Sequence, residues 1–487
     1  MDTISTYILK LSLPYIVQSL TFLYNLCITT CVFPEGWKCA KIIPIPKTSD
    51  SNDINNFRPI SILSVLSKPL EKHIHKHMVH FMESNNLFYQ FQSGFRKYHS
   101  CSTALVRLCD TWLSAINDSK LVGAVFLDLR KAFETVDHDI LISKLKTYTH
   151  NNDTVKLLAS FVTDRTQRVY VNGQYSRDGT LNFGVPQGSI LGPLFFCIFI
   201  NDLPLHITNT NVSCELFADD SSLHSSSKQL DQVQSDLQQG INDVVEWCDL
   251  NKMTLHPNKS NSMVITSRQK HQRAPLILNL KLHADPIEQV TSHRVLGITV
   301  DQELRWDVHI NNIRKILSKN LYLLSRLQPF VDKEGLKMFF VAHCQSFLNY
   351  ASTVWSSASD NHIKKLNSLH RRGAKLIIED PYLSTDDKLK AANILPLRRQ
   401  FEFNISLLMY KLLHGLAPSY LNAFLTKAPE RYGSDNYLLP RTRIDLFKAS
   451  FSFAGTSMWN SLPSDVKNCK SLFTFKSSLR KYMLRSS

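Results

Sequence analysis

Residues 214–220 read Cys-Glu-Leu-Phe-Ala-Asp-Asp, an apolar strand-like run that ends in two adjacent carboxylates. The pattern predicts a tight hairpin, because small and acidic residues after a short apolar run are typical of a strand that reverses direction. Side chains alternate along a strand, so one of Asp219 and Asp220 would face a site and the other would lie beside it. Taken alone, an Asp-Asp pair at such a place is usually only a turn.

A second apolar run that ends in a carboxylate lies 91 residues earlier, where residues 125–129 read Val-Phe-Leu-Asp-Leu. Two hard divalent cations about 3.5–4 Å apart need carboxylates from at least two segments of the chain. Asp128 and Asp219 would meet this requirement together, although neither run does so alone. Mg²⁺ is the expected ion, because its ligands are oxygens and triphosphate oxygens can complete its octahedral shell.

A glycine- and proline-rich stretch lies between these two runs. Residues 183–193 read Phe-Gly-Val-Pro-Gln-Gly-Ser-Ile-Leu-Gly-Pro, in a chain that has only 15 glycines. Small residues allow a backbone to approach a base pair or a sugar closely, so the stretch suits a shaped loop that enters a helix. A plain strand-to-helix connection is the alternative, and the apolar residues 194–196 would fit it as well.

Further segments complete an ordered series of six motifs. They are residues 57–61 (FRPIS), 92–96 (QSGFR), 127–133 (LDLRKAF), 184–193, 217–220 (FADD) and 293–297 (HRVLG). In this order, residues from about 12 to 310 resemble the reverse transcriptase of a non-LTR (LINE-type) retrotransposon. The resemblance implies an α+β fold of the right-hand polymerase type, with fingers, palm and helical thumb, followed by a basic, mostly helical C-terminal extension. It also implies an RNA-directed DNA polymerase that uses template RNA, a DNA primer and dNTPs.

The resemblance assigns metal and sugar contacts to residues at matching positions. Asp128 and Asp219 would ligate two Mg²⁺ ions, with Mn²⁺ as an alternative metal. Asp220 would add a third carboxylate, and the backbone carbonyl of Leu129 would also reach a metal. Phe133 lies where the family places an aromatic ring under the sugar. This favours DNA synthesis over RNA synthesis, because a 2′-hydroxyl group would collide with the ring.

The resemblance assigns nucleotide contacts to five further residues. Gln187 and Gly188 would line the nucleotide site beside the templating base. Lys259 resembles the lysine that protonates the leaving pyrophosphate, although a lysine in a turn is otherwise ordinary. Arg58 and Arg96 are candidates to clamp the triphosphate, since a planar guanidinium group suits phosphate oxygens. Structural pairing is the alternative for both arginines.

Two positions depart from the family's pattern. Glu134 replaces the aspartate common after Phe133, and Phe217 replaces the more usual tyrosine before Ala-Asp-Asp. The first change keeps the charge and the second keeps the ring. The chain also begins too close to the first motif for the apurinic-type endonuclease of complete elements, so we expect a product that could polymerise but could not nick its own target. A catalytically inactive nucleic-acid-binding remnant is therefore an alternative, and an intron maturase or telomerase-like polymerase is a weaker one.

Positive charge is concentrated at one end of the 487-residue chain. Of the formal net charge of +15, residues 1–360 carry +3 and residues 361–487 carry +12. A basic segment of this kind attracts polyanions. Arginines with nearby aromatic residues suit a grip on template RNA, and a basic solvent-facing surface is the alternative. These arginines are Arg371, Arg372, Arg398, Arg399, Arg441 and Arg443.

Cysteine usage and the first apolar stretch bear on the compartment. Ten cysteines without a Cys-x-x-Cys pair are typical of free thiols in a reducing compartment. Residues 11–33 hold too many polar groups for a membrane span, and their helical spacing predicts an amphipathic helix packed on its own domain. We therefore expect an intracellular protein without membrane contact. Its place would be the nucleus if it acts in target-primed reverse transcription, and otherwise the cytoplasm.

The patterns along the chain predict four parts. These are an N-terminal helical segment at 1–35, fingers and palm at 36–301, a helical thumb at 302–360 and a basic helical region at 361–487. The sequence leaves the oligomeric state open.

Overall fold

The computed structural model of the protein describes residues 4–47, 53–429 and 435–485. The helices are α1 (Thr6–Thr30), α2 (Ser67–Ser84), α3 (Cys101–Asn117), α4 (His138–Tyr148), α5 (Asn152–Val162), α6 (Leu191–Ile200), α7 (Leu203–His206), α8 (Leu230–Leu250), α9 (Arg268–Arg273), α10 (Asp307–Leu327), α11 (Lys333–Phe340), α12 (Ser346–Asn349), α13 (Ser352–Trp355), α14 (Asp360–Ile377), α15 (Thr385–Ala391), α16 (Leu397–Leu413), α17 (Phe451–Ser461), α18 (Ser464–Lys467) and α19 (Leu472–Arg485). The strands are β1 (Cys39–Pro46), β2 (Phe57–Ile62), β3 (Leu121–Leu127), β4 (Arg165–Val171), β5 (Gln174–Tyr175), β6 (Gly179–Leu181), β7 (Ser213–Phe217), β8 (Asp220–Ser227), β9 (Asn261–Ile265), β10 (Lys281–Leu282), β11 (Asp285–Pro286), β12 (Glu288–Gln289), β13 (Ser292–Val295), β14 (Ile298–Asp301), β15 (Thr426–Lys427) and β16 (Tyr437–Leu438). This mixture of helices and strands confirms the mixed α and β character expected from the sequence.

The central sheet has five strands in the order β12-β9-β3-β8-β7. Its middle strand β3 is antiparallel to β8 on one side and to β9 on the other. All seven residues of β3 are buried, which explains why its sequence is apolar throughout. Val122, Ala124 and Phe126 belong to one hydrophobic core, and the alternate residues Val125 and Leu127 belong to another. The sheet therefore separates two cores.

Helices α3 and α8 cover the two faces of this sheet. Trp112 of α3 lies in the first core, and Val233 and Leu237 of α8 lie in the second. A Cβ atom on Gly123 of β3 would lie 2.5 Å from a methyl group of Val233 and 2.6 Å from one of Leu237. Gly123 therefore allows α8 to pack directly on the strand that precedes Asp128.

A second sheet has the order β2-β1-β4-β5, with β6 also paired to β4. β1 is antiparallel to β2 and parallel to β4. The pairing with β4 ends at Ile42, before Pro44 and Pro46. The prolines lack an N–H group, so they are tolerated where that ladder has already ended.

Helix α1 corrects one expectation from the sequence. Its last turns pack on the rest of the described chain: Cys27 is buried, and the hydroxyl group of Tyr24 donates to the carbonyl of Leu66 at 2.9 Å. Towards the N-terminus, Ile16 and Leu20 of the predicted stripe are only half-buried and the apolar side chains on the other faces are exposed, so the expected packing is limited to one narrow face. By length and composition only, α1 is also able to cross a membrane. The most exposed large apolar side chains of α1 are Tyr7, Ile8, Leu11, Tyr15 and Phe22.

The C-terminal helices share a core with the central sheet. That core extends from Leu105 in α3 to Met483 in α19. Asp110 of α3 accepts hydrogen bonds from the backbone N–H groups of Phe451 at 2.5 Å and Ser452 at 2.7 Å, at the N-terminus of α17. A carboxylate is favoured at that end of a helix. The hydrophobic core is thus continuous across residue 360. The domain boundary that the sequence places at this residue remains a prediction.

Candidate active site

The two aspartate-bearing segments lie side by side in the central sheet. β7 and β8 form a hairpin in which Phe217 pairs with Asp220, so Ala218 and Asp219 make the two-residue turn. Leu127 of β3 pairs with Ser221 of β8. Asp128 directly follows β3 and therefore lies at the same end of the sheet as Asp219 and Asp220. Three carboxylates from two segments are thus brought together.

A cavity of about 1110 Å³ adjoins these carboxylates. Asp220 lines a smaller neighbouring cavity of about 300 Å³, together with Asp128, Lys259 and His293. Among the lining residues of the larger cavity are eight of the ten site residues that the sequence suggested. These eight are Arg58, Asp128, Leu129, Phe133, Gln187, Gly188, Asp219 and Lys259.

Burial and neighbouring negative charge raise the pKa values of Asp219 and Asp220. Withdrawal from water raises the pKa of Asp220 to about 6, and the charges of Asp219 and Asp128 add to the rise. The pKa of Asp219 is raised by the same loss of solvation and by Asp128, while Arg58 opposes the rise. Carboxylates in this arrangement repel one another, so the site favours bound positive charge.

The donor set fits hard divalent cations. Carboxylate and carbonyl oxygens are the ligands that Mg²⁺ takes, and the ion usually keeps waters and substrate phosphates in the rest of its shell. Within residues 4–47, 53–429 and 435–485, no group of three or more His, Cys, Asp or Glu side chains is arranged to hold a metal ion.

The glycine-rich loop is held against β2 by its backbone. The N–H group of Ser61 donates to the carbonyl of Gln187 at 2.7 Å. Gly188 has a φ of +121°, and a Cβ atom there would lie 2.5 Å from the carbonyl oxygen of Ser61. Only glycine fits this conformation and this approach. The loop therefore has a fixed shape where it borders the cavity.

Two side chains of α2 also hold this loop, and sequence reasoning missed both. Lys68 donates to the carbonyl of Gly188 at 2.7 Å. The carboxylate of Glu71, which is fully buried, accepts a hydrogen bond from the N–H group of Ile190 at 2.7 Å, where α6 begins. The available signal was a charged residue at position 71 directly after Leu70, within the apolar stripe of a helix.

The ring of Phe133 is fixed in the wall of the large cavity. It stacks on Phe196 with ring centroids 4.5 Å apart and meets the ring of Phe95 edge-on at 6.4 Å. The carbonyl of Phe133 accepts a hydrogen bond from the N–H group of Val185 at 2.8 Å. The segment after Asp128 is therefore tied to the glycine-rich loop.

The turn after α8 holds Asp128 and carries Lys259. The N–H group of His256 donates to the carbonyl of Asp128 at 2.8 Å, and the N–H group of Asp128 donates to the hydroxyl of Ser260 at 3.4 Å. The ammonium nitrogen of Lys259 lies 3.8 Å from Oδ2 of Asp128. Lys259 is therefore within reach of any group that is bound at Asp128.

The two candidate arginines differ in environment. Arg58 is exposed in the wall of the large cavity. Arg96 instead forms a two-point ion pair with Glu83, with nitrogen–oxygen distances of 2.9 and 2.7 Å, and donates to the carbonyls of Tyr89 and Gln92. Its guanidinium group is committed to these partners. The expected triphosphate contact is thus corrected for Arg96, and structural pairing describes it.

Residues 45–300 match the family described as reverse transcriptase (RNA-dependent DNA polymerase). The chain belongs to the reverse transcriptase family. The probable RNA-directed DNA polymerase from transposon BS of Drosophila melanogaster is 29% identical to this protein over 374 residues, which are 74% of this chain and 41% of that protein. The RNA-directed DNA polymerase from mobile element jockey of the same organism is 28% identical over 381 residues, 76% of this chain and 41% of that protein.

These relatives confirm the resemblance to non-LTR retrotransposon reverse transcriptases, and the chain spans about two fifths of their length. Among solved structures, apo telomerase from Candida tropicalis aligns with 82% of this chain and 72% of its own, at 11% identity and a TM-score of 0.43.

Arg130 and Lys131 are further cationic residues in the lining of the large cavity. They directly follow the proposed metal-binding segment. The N–H group of Arg130 donates to the carbonyl of Thr254 at 2.8 Å, which fixes the backbone there. Both residues lie in the motif at 127–133, but the sequence predicted no role for either of them. The signal was two adjacent positive charges immediately after an apolar strand and its carboxylate.

Proposed function

We propose that this protein is an RNA-directed DNA polymerase of the non-LTR retrotransposon type, which adds dNTPs to a primer 3′-hydroxyl group on an RNA template. The observation that carries the proposal is the meeting of Asp128, Asp219 and Asp220 at one end of the central sheet, beside a cavity of about 1110 Å³. A cavity of this size is ample for a nucleotide. The family match over residues 45–300 supports the same reaction.

In the proposed reaction, the primer 3′-oxygen attacks the α-phosphorus of the dNTP in line. A new phosphorus–oxygen bond forms, and the bond to the leaving pyrophosphate breaks. When bound, two Mg²⁺ ions supply activation of the hydroxyl group and neutralisation of the developing phosphate charge. The carboxylates of Asp128, Asp219 and Asp220 and the carbonyl of Leu129 would hold these ions.

The other cavity residues would bind and orient the nucleotide. Arg58 would contact the triphosphate, since its exposed guanidinium group lies in the cavity wall. Lys259 would give a proton to the leaving pyrophosphate. The fixed ring of Phe133 would lie under the sugar, and Gln187 with Gly188 would lie beside the templating base. Positioning of this kind supplies much of the rate enhancement of a group transfer.

The proposed architecture is a right hand, with fingers and palm at 36–301, a helical thumb at 302–360 and a template-binding region at 361–487. Helix α14 supports an RNA-binding role for the last region, because one of its faces presents a run of cations along a shallow groove of about 480 Å³. A cationic groove attracts the phosphate backbone of nucleic acids. The cations are Lys364, Arg371, Arg372 and Lys375.

Primer extension on an RNA template, with Mg²⁺ and dNTPs, tests the proposed function. The parent protein should extend the primer, and Asp219→Asn should abolish extension because it removes a metal-binding charge without changing the size of the side chain. Asp249→Asn is the matched control, since Asp249 is an exposed residue of α8 outside the cavity. A folded parent that binds template but does not extend the primer would instead identify a nucleic-acid-binding remnant.

A further inference from the structure

The turn that carries Asp219 is held from behind by Gln92. The side chain of Gln92 is completely buried. Its Oε1 atom accepts hydrogen bonds from the N–H group of Gly94 at 2.8 Å and from that of Ala218 at 3.2 Å. Ala218 directly precedes Asp219. The position of Gln92 therefore sets the position of the backbone that carries a proposed metal ligand.

Ala218 needs such support because its backbone is strained. It has a φ of +57°, which non-glycine residues rarely adopt and which persists only where the surroundings enforce it. It also lies in the turn between the last paired residues, Phe217 and Asp220. Gln92 thus provides an acceptor for an N–H group at the point where the strand pairing has ended.

The segment that contains Gln92 lies unusually close to this turn. A Cβ atom on Gly94 would lie 2.4 Å from the backbone nitrogen of Ala218, so only a glycine permits this approach. In the part of the chain that the structure describes, the amide nitrogen of Gln92 has no hydrogen-bond partner. A buried polar atom without a partner lowers stability. Gln92 therefore stabilises this region through the two hydrogen bonds that its Oε1 atom accepts from the N–H groups of Gly94 and Ala218.

The C-terminal region holds the same segment on its other side. The N–H group of Ser93 donates to the carbonyl of Leu216 at 2.8 Å, and the hydroxyl groups of Ser93 and Tyr420 are hydrogen bonded at 3.0 Å. The ring of Tyr420 also meets the ring of Phe91 edge-on, with centroids 5.9 Å apart. Tyr420 lies well beyond the residues 45–300 that match the family.

We infer that Gln92 is a positioning residue that places Asp219 for metal binding, and that Tyr420 keeps the Gln92 segment against the turn. The inference rests on the proposed function, since it concerns the same carboxylate. Neither Gln92 nor Tyr420 is among the described residues that line the 1110 Å³ cavity. A substitution of either residue would therefore act by displacing Asp219. It would weaken metal binding more than nucleotide binding at Arg58 and Gln187.

The variant Gln92→Met tests the inference, because methionine has nearly the same size but no acceptor oxygen. We expect the Mg²⁺ concentration for half-maximal primer extension to rise about ten-fold, as is typical for loss of a residue that orients a metal ligand. The KM for dNTP at saturating Mg²⁺ should stay within about two-fold of the parent value. Gln400→Met is the matched control, since Gln400 is a buried glutamine in α16.

Mn²⁺ binding to the same proteins, followed by electron paramagnetic resonance, gives a readout that does not depend on activity. Gln92→Met should bind Mn²⁺ more weakly than the parent and Gln400→Met. A folded Gln92→Met protein with the parent's Mg²⁺ requirement and Mn²⁺ affinity would overturn the inference. If the parent does not extend primers, the proposed function fails, and Mn²⁺ affinity alone then decides the inference.

The second variant, Tyr420→Phe, removes only one hydroxyl group and leaves the ring in place. It should shift the Mg²⁺ requirement in the same direction as Gln92→Met, by a smaller factor. Tyr410→Phe is its control, because the hydroxyl of the buried Tyr410 donates to the carbonyl of Cys469 at 2.8 Å. If Gln92→Met does not fold, Tyr420→Phe decides: a raised Mg²⁺ requirement supports the inference, and an unchanged one overturns it.

Discussion

The ammonium nitrogen of Lys259 lies 3.8 Å from a carboxylate oxygen of Asp128. Both side chains are solvent-accessible from the cavity, so the contact is a weak and exchangeable ion pair. A divalent cation bound at Asp128 would compete with Lys259 for the carboxylate. Lys259 would then be free to turn towards the leaving pyrophosphate, which is the role proposed for it.

The variant Lys259→Met should slow nucleotide addition by about a hundred-fold, because it removes the proposed general acid. The Mg²⁺ requirement should not increase, since the lost charge competes with the cation. Single-nucleotide incorporation under single-turnover conditions measures both effects. Lys252→Met is the control, because Lys252 pairs with Asp137 at 2.7 Å and is not a lining residue of the cavity. A Lys259→Met protein with the parent's rate would refute the role of proton donor.

The stacking of Phe133 on Phe196 leads to a prediction about sugar selection. The variant Phe133→Val should increase ribonucleotide incorporation relative to deoxynucleotide incorporation by about ten-fold or more, because a smaller side chain leaves room for a 2′-hydroxyl group. Competition between a dNTP and the matching rNTP measures this ratio. Phe183→Val, at an exposed position outside the cavity lining, should leave it unchanged. An unchanged ratio in Phe133→Val would mean that another residue discriminates the sugar.

Arg58 and Arg96 should behave oppositely on substitution. Arg58→Ala should raise the KM for dNTP about ten-fold through loss of a charged contact, with little change in thermal stability. Arg96→Ala should lower the free energy of unfolding by about 2–3 kcal/mol, because Glu83 and two carbonyls lose their partner. The KM for dNTP should then be unchanged. Thermal unfolding and steady-state kinetics on both variants test this prediction. A raised KM for dNTP in Arg96→Ala together with a lowered stability in Arg58→Ala would contradict it.

The carboxylates were the most predictable part of the site. Asp128 and Asp219 each follow a run of apolar residues, and such runs form buried strands whose ends can meet. The apolar sequence of β3 reflects its coverage on both faces. Local sequence therefore carried enough information to identify the strands, while the metal-binding role of the carboxylates is implied by the resemblance and stays a prediction.

The supports of the site were not predictable, because they depend on contacts between distant segments. Gln92 acts on Ala218 through a backbone N–H group, which leaves no pattern in the sequence at either position. Arg96 carries the same charge as Arg58, and only the position of Glu83 distinguishes its role. Helix α1 has enough apolar residues for a packed helix, but the pattern does not show whether a neighbour covers them.

Buried histidines predict how stability depends on pH. Burial lowers the pKa of His224 to about 3 and those of His309 and His370 to about 4. An unfolded histidine has a pKa of about 6.5, so below that pH the unfolded chain binds protons that these folded side chains do not. The free energy that they contribute to folding is therefore present at neutral pH and is lost as the pH falls from about 6.5 towards 4.

Two buried carboxyl groups act in the opposite direction. Burial raises the pKa of Asp110 to about 6 and that of Glu215 to about 7, so the folded state binds their protons first and gains stability as the pH falls. The net pH dependence of the parent therefore combines opposing contributions, and a substitution is needed to isolate one histidine.

The variant His370→Gln isolates that contribution, because glutamine can still donate a hydrogen bond to Gln345, as Nε2 of His370 does at 3.0 Å. Between pH 7 and pH 5, the parent should lose about 2 kcal/mol more unfolding free energy than the variant. Urea unfolding at both values measures the difference. His150→Gln, at an exposed loop position, should follow the parent. Equal losses in the parent and His370→Gln would mean that His370 is protonated alike in the folded and unfolded states, which its burial among apolar groups opposes.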